Sequence, residues 1–230
     1  MHLKQTSDLR NAVYDFSSSH AQAIVVQVEE KSALLVHWLG YLSTFHRTGV
    51  ADDLLDAAIS SVREVAGLLS LGLARAALFS LRGQIDVLLA WLYFKDHGVE
   101  WSHVNETADG FKLKKELLQY LDQNVPKFRA RMGLLTEIKT RTEADPYRLL
   151  SAHIHAQSTL VVPVVDSLCD LVRPDPVCFE CTQACFEVAE YVNDILFGVY
   201  LSSWASLPAP VRTALKPRFK SAEQRQVFFA

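Results

Sequence analysis

From Ala21 to Phe45 the residues Ile24, Val25, Val28, Leu34, Leu35, Trp38, Leu39 and Leu42 recur at spacings of three and four. That period winds them into one apolar stripe on a helix. Ser7 and Asp8 offer a start, Ser17–Ser19 a point of division, and His46-Arg47-Thr48-Gly49 an end with glycine in the C-capping role. The period returns from Asp52 through Leu55, Ile59, Val62, Val65 and Leu69. Beyond Gly72 the chain to Lys95 is apolar on almost every side, the mark of a buried central helix. His97-Gly98 stops it, and the polar stretch 99–110 predicts a loop. Lys112–Gln123 predicts a shorter amphipathic helix. Pro126 suits the first turn of a basic helix carrying Lys127, Arg129, Arg131 and Lys139. Asp145-Pro146 pairs an N-cap with proline at the first helical position. The helix it opens is expected to run past His155 and to bend or end near Pro163. Asp175-Pro176 repeats the signal and predicts a helix to about Trp204.

No strand-like alternation, internal repeat or low-complexity tract interrupts this reading. The prediction is an all-α fold, a bundle of roughly six to eight helices. One domain over 1–205 is expected, with the helix over 8–46 a candidate appendage. The segment 206–230 contains proline and the basic residues Arg212, Lys216, Arg218, Lys220 and Arg225, and predicts a basic, partly ordered tail.

Composition narrows the class further. Of 230 residues, 50% are hydrophobic, and Gly and Pro number only 9 and 8, a shortage of turn formers that agrees with helices. A chain of this length buries enough apolar surface to fold without a metal or disulfide staple. The net charge of −3 supplies no global attraction for nucleic acid or an anionic membrane, so an RNA-binding role needs a local basic patch. The opening MHLKQTSDLRNAVYDF lacks a secretory pattern. The apolar stretch from Val65 to Phe94 is interrupted by Arg75, Arg82 and Asp86, which disfavours a membrane span. Four cysteines, three of them at 178, 181 and 185, do not resemble a secreted disulfide framework. A cytoplasmic protein with no membrane partner is the expectation.

The segment Asp145-Pro146-Tyr147-Arg148-Leu149-Leu150-Ser151-Ala152-His153-Ile154-His155 carries the candidate chemistry. At about 100° per residue, Arg148 and His155 nearly eclipse each other, with Ser151 on the flank of their stripe. Arg148 and His153 lie well around the helix from one another. A guanidinium holds a phosphate bidentately and stabilises charge that develops on it. An imidazole moves a proton near neutral pH. If a ribose 2′-hydroxyl is the nucleophile, RNA cleavage needs no metal, and no cofactor is expected.

On these residues the chain resembles the HEPN domains, all-helical bundles marked by an arginine, four to six residues, and a histidine. Four residues separate Arg148 from His153 and six separate it from His155. The context Tyr147-x-x-Leu150-Ser151-x-x-Ile154-His155 resembles a subgroup with Tyr-x-x-Leu-Ser before the histidine, which favours His155. The resemblance implies a metal-independent endoribonuclease of a toxin–antitoxin or anti-phage defence system. It further implies a homodimer whose two motifs form a composite cleft, an RNA substrate such as transfer RNA, and an antitoxin or defence-system partner protein. Arg148 would hold the scissile phosphate, His155 would serve as general acid–base with His153 as the alternate, and Ser151 would orient phosphate or imidazole. Arg82 and Asp86, four apart in the apolar helix, resemble the polar pair of related proteins, and Tyr147 supports the motif. Glu100-Trp101 resembles the family's Glu-Trp. The chain departs from the commonest motif at Leu149, where a polar residue usually follows the arginine.

Plainer roles compete with each assignment. Arg148 reads equally as a surface cation and His155 as a satisfied histidine at a helix interface, and Arg82–Asp86 as a structural ion pair. Cys178, Cys181 and Cys185 form one stripe on a helix, where thiols act as small buried hydrophobes, so no metal site is assigned. The lysines at 112, 114 and 115 and the basic set 127, 129 and 131 read as solvated faces or as a guide for an RNA backbone. The functional alternatives are a non-catalytic HEPN-like module binding a partner protein, nucleotide or RNA, and a helical subunit of a larger complex.

Overall fold

The computed structural model describes residues 2–157, 161, 162 and 164–229. Among these residues there are ten α-helices and no strand. In chain order they are α1 (His2–Phe45), α2 (Asp52–Ser70), α3 (Ala74–Phe94), α4 (Gly98–Thr107), α5 (Lys114–Asn124), α6 (Phe128–Glu137), α7 (Pro146–Ile154), α8 (Asp175–Tyr200), α9 (Ala209–Leu215) and α10 (Ala222–Phe229). Short 3₁₀ turns occupy Leu168–Leu171, Leu201–Ser206 and Lys216–Arg218. The all-helical class is the expected one, and the helices outnumber the expectation because several short ones form where the chain has little period of its own.

α4 is the clearest case, standing where a loop is expected. Its sequence has no continuous apolar stripe, but Trp101 and Val104 pack against the buried cluster of Ala51, Ala90 and Phe94. Tertiary contact thus provides the apolar side that periodicity does not show. α1 runs through Ser17–Ser19 without a break; Ser17 turns its hydroxyl back to the Tyr14 carbonyl at 3.1 Å. Pro126 lies ahead of α6 rather than in its first turn, and Lys127 takes a left-handed conformation with φ 59°. α8 ends at Tyr200, and the 3₁₀ turn carries the chain through Trp204. The segment read as a partly ordered tail forms α9, a 3₁₀ turn and α10, with Val211, Leu215 and Phe228 buried.

The chain divides into two compact units, the first comprising Met1–Ala33, Ser60–Gln84 and Asp145–Val188 and the second Leu34–Ile59, Ile85–Ala144 and Ala189–Ala230. The first unit buries Ile24, Val28, Val65, Leu69, Leu81 and Leu150. Thr182 donates to Gln27 at 2.9 Å, and Gln84 donates to Ser61 at 3.0 Å, satisfying polar groups that burial strips of water. The turn between α2 and α3 needs glycine: Gly72 has φ +79°, and a Cβ there would lie 2.6 Å from Val172 Cγ1. That closeness lets the Arg173 amide donate to the Gly72 carbonyl at 2.8 Å.

The second unit packs Trp38 edge-on to Phe197 and buries Trp91, Phe94 and Leu135. It also buries four charges. Asp194 is wholly buried and accepts from Arg218 Nη1 at 2.7 Å and from Arg141 Nη1. Glu190 accepts from the backbone amide of Arg141 at 2.6 Å and that of Thr140 at 3.0 Å. Arg218 also caps the Ile138 and Leu135 carbonyls near the end of α6. Gly198 of α8 lets Phe128 approach closely, since a Cβ would stand 2.9 Å from that ring. By length and composition α3 is the one described helix that qualifies as a membrane crossing, and 56% of that span is buried inside the protein, as in a core helix.

Candidate functional site

α7 is the helix that carries the motif. Asp145 precedes it and Pro146 opens it, and the Arg148 amide returns to the Asp145 carbonyl at 3.1 Å. The helix ends sooner than expected. His155 is its C-cap, Ala156 adopts the left-handed conformation with φ 48°, and the Gln157 amide reaches back to the Ala152 carbonyl at 3.1 Å. This six-to-one closure is a Schellman stop, and it terminates the helix before Pro163, which lies outside the described residues.

Only Pro146 and Leu150 of α7 are fully buried, and they set its orientation in the first unit. Arg148 and His155 are both exposed, seven residues apart, which places them on one side of the helix about 10 Å apart along its axis. The described residues include no hydrogen-bonding or ionic partner for the Arg148 guanidinium, which is therefore free to meet an anion.

Ser151 does not share this exposed stripe. It is half-buried, and its hydroxyl oxygen is buried with no hydrogen-bond partner among the described residues. Tyr147 turns to α3, where Arg82 donates to its hydroxyl and lays its guanidinium over the ring at 4.7 Å. Arg82 is thus brought to the motif helix through Tyr147, a contact that joins a hydrogen bond to a cation–π attraction. Asp86, also half-buried on α3, belongs to the second unit, as does the Glu100-Trp101 pair on α4. Glu100 there accepts from Tyr93 at 3.0 Å and pairs with Lys112 at 3.1 Å.

His153 points elsewhere. With Leu149, one turn earlier, it lines a cavity of about 670 Å³ within the first unit. Burial, and secondarily the charge of Arg75, hold its imidazole below the usual histidine range, so it is largely neutral at pH 7. Arg75, which sequence reading treats only as an interruption of an apolar run, stands in the same wall. Its place there was hidden because most of the other lining residues come from distant parts of the chain.

The cysteine stripe faces inward on α8. Cys178, Cys181 and Cys185 are free and buried, and burial pushes their thiols up to about 11, about 12 and about 12. Such thiols are poor thiolate ligands and nucleophiles. No group of three or more His, Cys, Asp or Glu side chains gathers in a metal-binding arrangement among the described residues.

The chain matches no protein-family profile, no curated protein and no solved structure.

Proposed function

We propose that this chain is a HEPN-like, metal-independent endoribonuclease of a toxin–antitoxin or anti-phage defence system, acting in the cytoplasm as a homodimer. The observation that carries the reading is the pairing of Arg148 and His155 on one exposed side of α7, with nothing among the described residues occupying either group. In the proposed reaction Arg148 binds the non-bridging oxygens of the scissile phosphate. A neutral imidazole takes the proton of the neighbouring 2′-hydroxyl, and the 2′-oxygen bonds to phosphorus. The bond from phosphorus to the 5′-oxygen breaks, and that oxygen takes a proton from an imidazolium. The products are a 2′,3′-cyclic phosphate and a 5′-hydroxyl. Two copies of His155, one from each protomer, would divide the base and acid roles.

The test is incubation of the purified protein with labelled transfer RNA in excess EDTA, alongside Arg148→Ala, His155→Ala and His153→Ala. The expected result is EDTA-resistant cleavage leaving cyclic phosphate ends. It should fall at least about 100-fold in the first two variants, the scale of general acid–base catalysis, and remain in the third. Cleavage that survives both Arg148→Ala and His155→Ala would sink the assignment.

A second reading is a non-catalytic HEPN-like module that binds RNA or a partner protein. It is favoured by the inward-facing hydroxyl of Ser151, which leaves the stripe with two polar groups instead of three. RNA retained on a filter without cleavage, and lost in Arg148→Ala, would support it.

A further inference from the structure

The cavity behind α7 is made of unlike parts. Its apolar lining comes from Leu149, Val161, Val162, Val164 and Leu171, and several of these side chains stand open to solvent at its mouth. Its wall also contains Arg75, half-buried at the start of α3. The Arg75 guanidinium lies 5.1 Å from the Phe79 ring, and its Nε is buried without a hydrogen-bond partner among the described residues. A guanidinium nitrogen buried beside an apolar cavity with no acceptor among the described residues is costly unless something anionic meets it. The volume, about 670 Å³, is that of a small-molecule site.

We propose that this cavity binds a small amphipathic monocarboxylate, with its carboxylate on Arg75 and its hydrocarbon body along Leu149, Val161, Val162 and Val164. A guanidinium presents paired donors that match a carboxylate. The charge pattern selects a single negative charge. His153, the other basic group beside Arg75, is desolvated and uncharged near neutrality, so it does not balance a second one. Asp170 and Glu180 at the rim are exposed and acidic against one exposed cation, Arg173, and they repel a dianion. Asp170 is itself occupied with the amides of Ser167 and Asp166 and the Ser167 hydroxyl. The exposed valines at the mouth are then the surface that the hydrocarbon covers.

Isothermal titration of the full chain with octanoate, octyl phosphate and 1-octanol tests this. Octanoate should bind saturably, one per chain and at least tenfold tighter than either of the others. Arg75→Gln should weaken octanoate at least tenfold and erase its advantage over octanol. Leu149→Trp, which fills the mouth from an exposed position, should abolish binding, and thermal melts establish that each variant is folded. If Arg75→Gln does not fold, Leu149→Trp decides alone. Equal affinity of the wild type for octanoate and octanol overturns the proposal, as does octanoate binding that Leu149→Trp leaves unchanged. So does a concentration-dependent dimer that Leu149→Trp disrupts and octanoate does not, since the apolar mouth would then belong to a second copy. No RNA enters the measurement, so its outcome is separate from that of the ribonuclease reading.

Discussion

Asp194 has no exposed surface and sits between two arginines, so its carboxylate depends on them for the solvation that water no longer provides. Burial pushes its carboxyl up while Arg218 and Arg141 pull it down. Removing one cation leaves a buried charge half-balanced. Arg218→Met should therefore cost about 3–5 kcal/mol in urea unfolding, the usual consequence of breaking a buried pair. His46 illustrates the opposite sign of charge. Its ring packs against Tyr200 at 4.6 Å, and burial, then Lys95, hold its pKa below the ordinary value. The unfolded chain binds that proton more readily than the folded one. Stability therefore falls as pH drops below about 6.5 toward the lowered folded value, and is fully present above. Urea midpoints at pH 7 and pH 5 should show this loss, and His46→Gln should flatten it. Sequence patterning does not reveal either residue's role. The partners of Asp194 and of neighbouring Glu190 lie 24 to 53 positions away.

The ending of α7 turns on one residue. Ala156 holds a left-handed φ of 48°, a conformation that costs an L-residue roughly 1–2 kcal/mol and costs glycine almost nothing. Ala156→Gly should raise stability by about 1 kcal/mol in thermal or urea unfolding while leaving the Schellman closure in place. The start of α7 was legible in the sequence because Asp145-Pro146 acts locally, through a cap and a preset φ. Its end was not, because alanine carries no C-terminal signal, and the stop is imposed by the conformation the surrounding chain requires. α4 teaches the same lesson from the other side: a polar decapeptide becomes helical because Trp101 and Val104 find an apolar surface. The stripe of Arg148 and His155 was readable from spacing alone. The inward turn of Ser151 was not, since spacing gives an angle around the axis but not which side the core lies on.

At the scale of the whole chain, the last elements are part of the fold. Arg218 reaches Asp194 and two carbonyls near the end of α6, Gln224 donates to Glu137 at 2.9 Å, and Phe228 is fully buried. Deleting residues 209–229 should lower the melting temperature by roughly 10 °C or more, since several kcal/mol vanish from a chain of this size. A truncation that melts with the full chain would show these contacts to be dispensable. The amino-acid sequence by itself determined the helical class, the long helices and the arginine–histidine spacing, because hydrophobic period and capping are local properties of the chain. Only the tertiary structure decided that His153 and Arg75 share a cavity, that Ser151 faces inward and that four charges are buried together. Those arrangements depend on which distant segments meet, and no local pattern encodes the partner that makes a buried charge or an apolar wall tolerable.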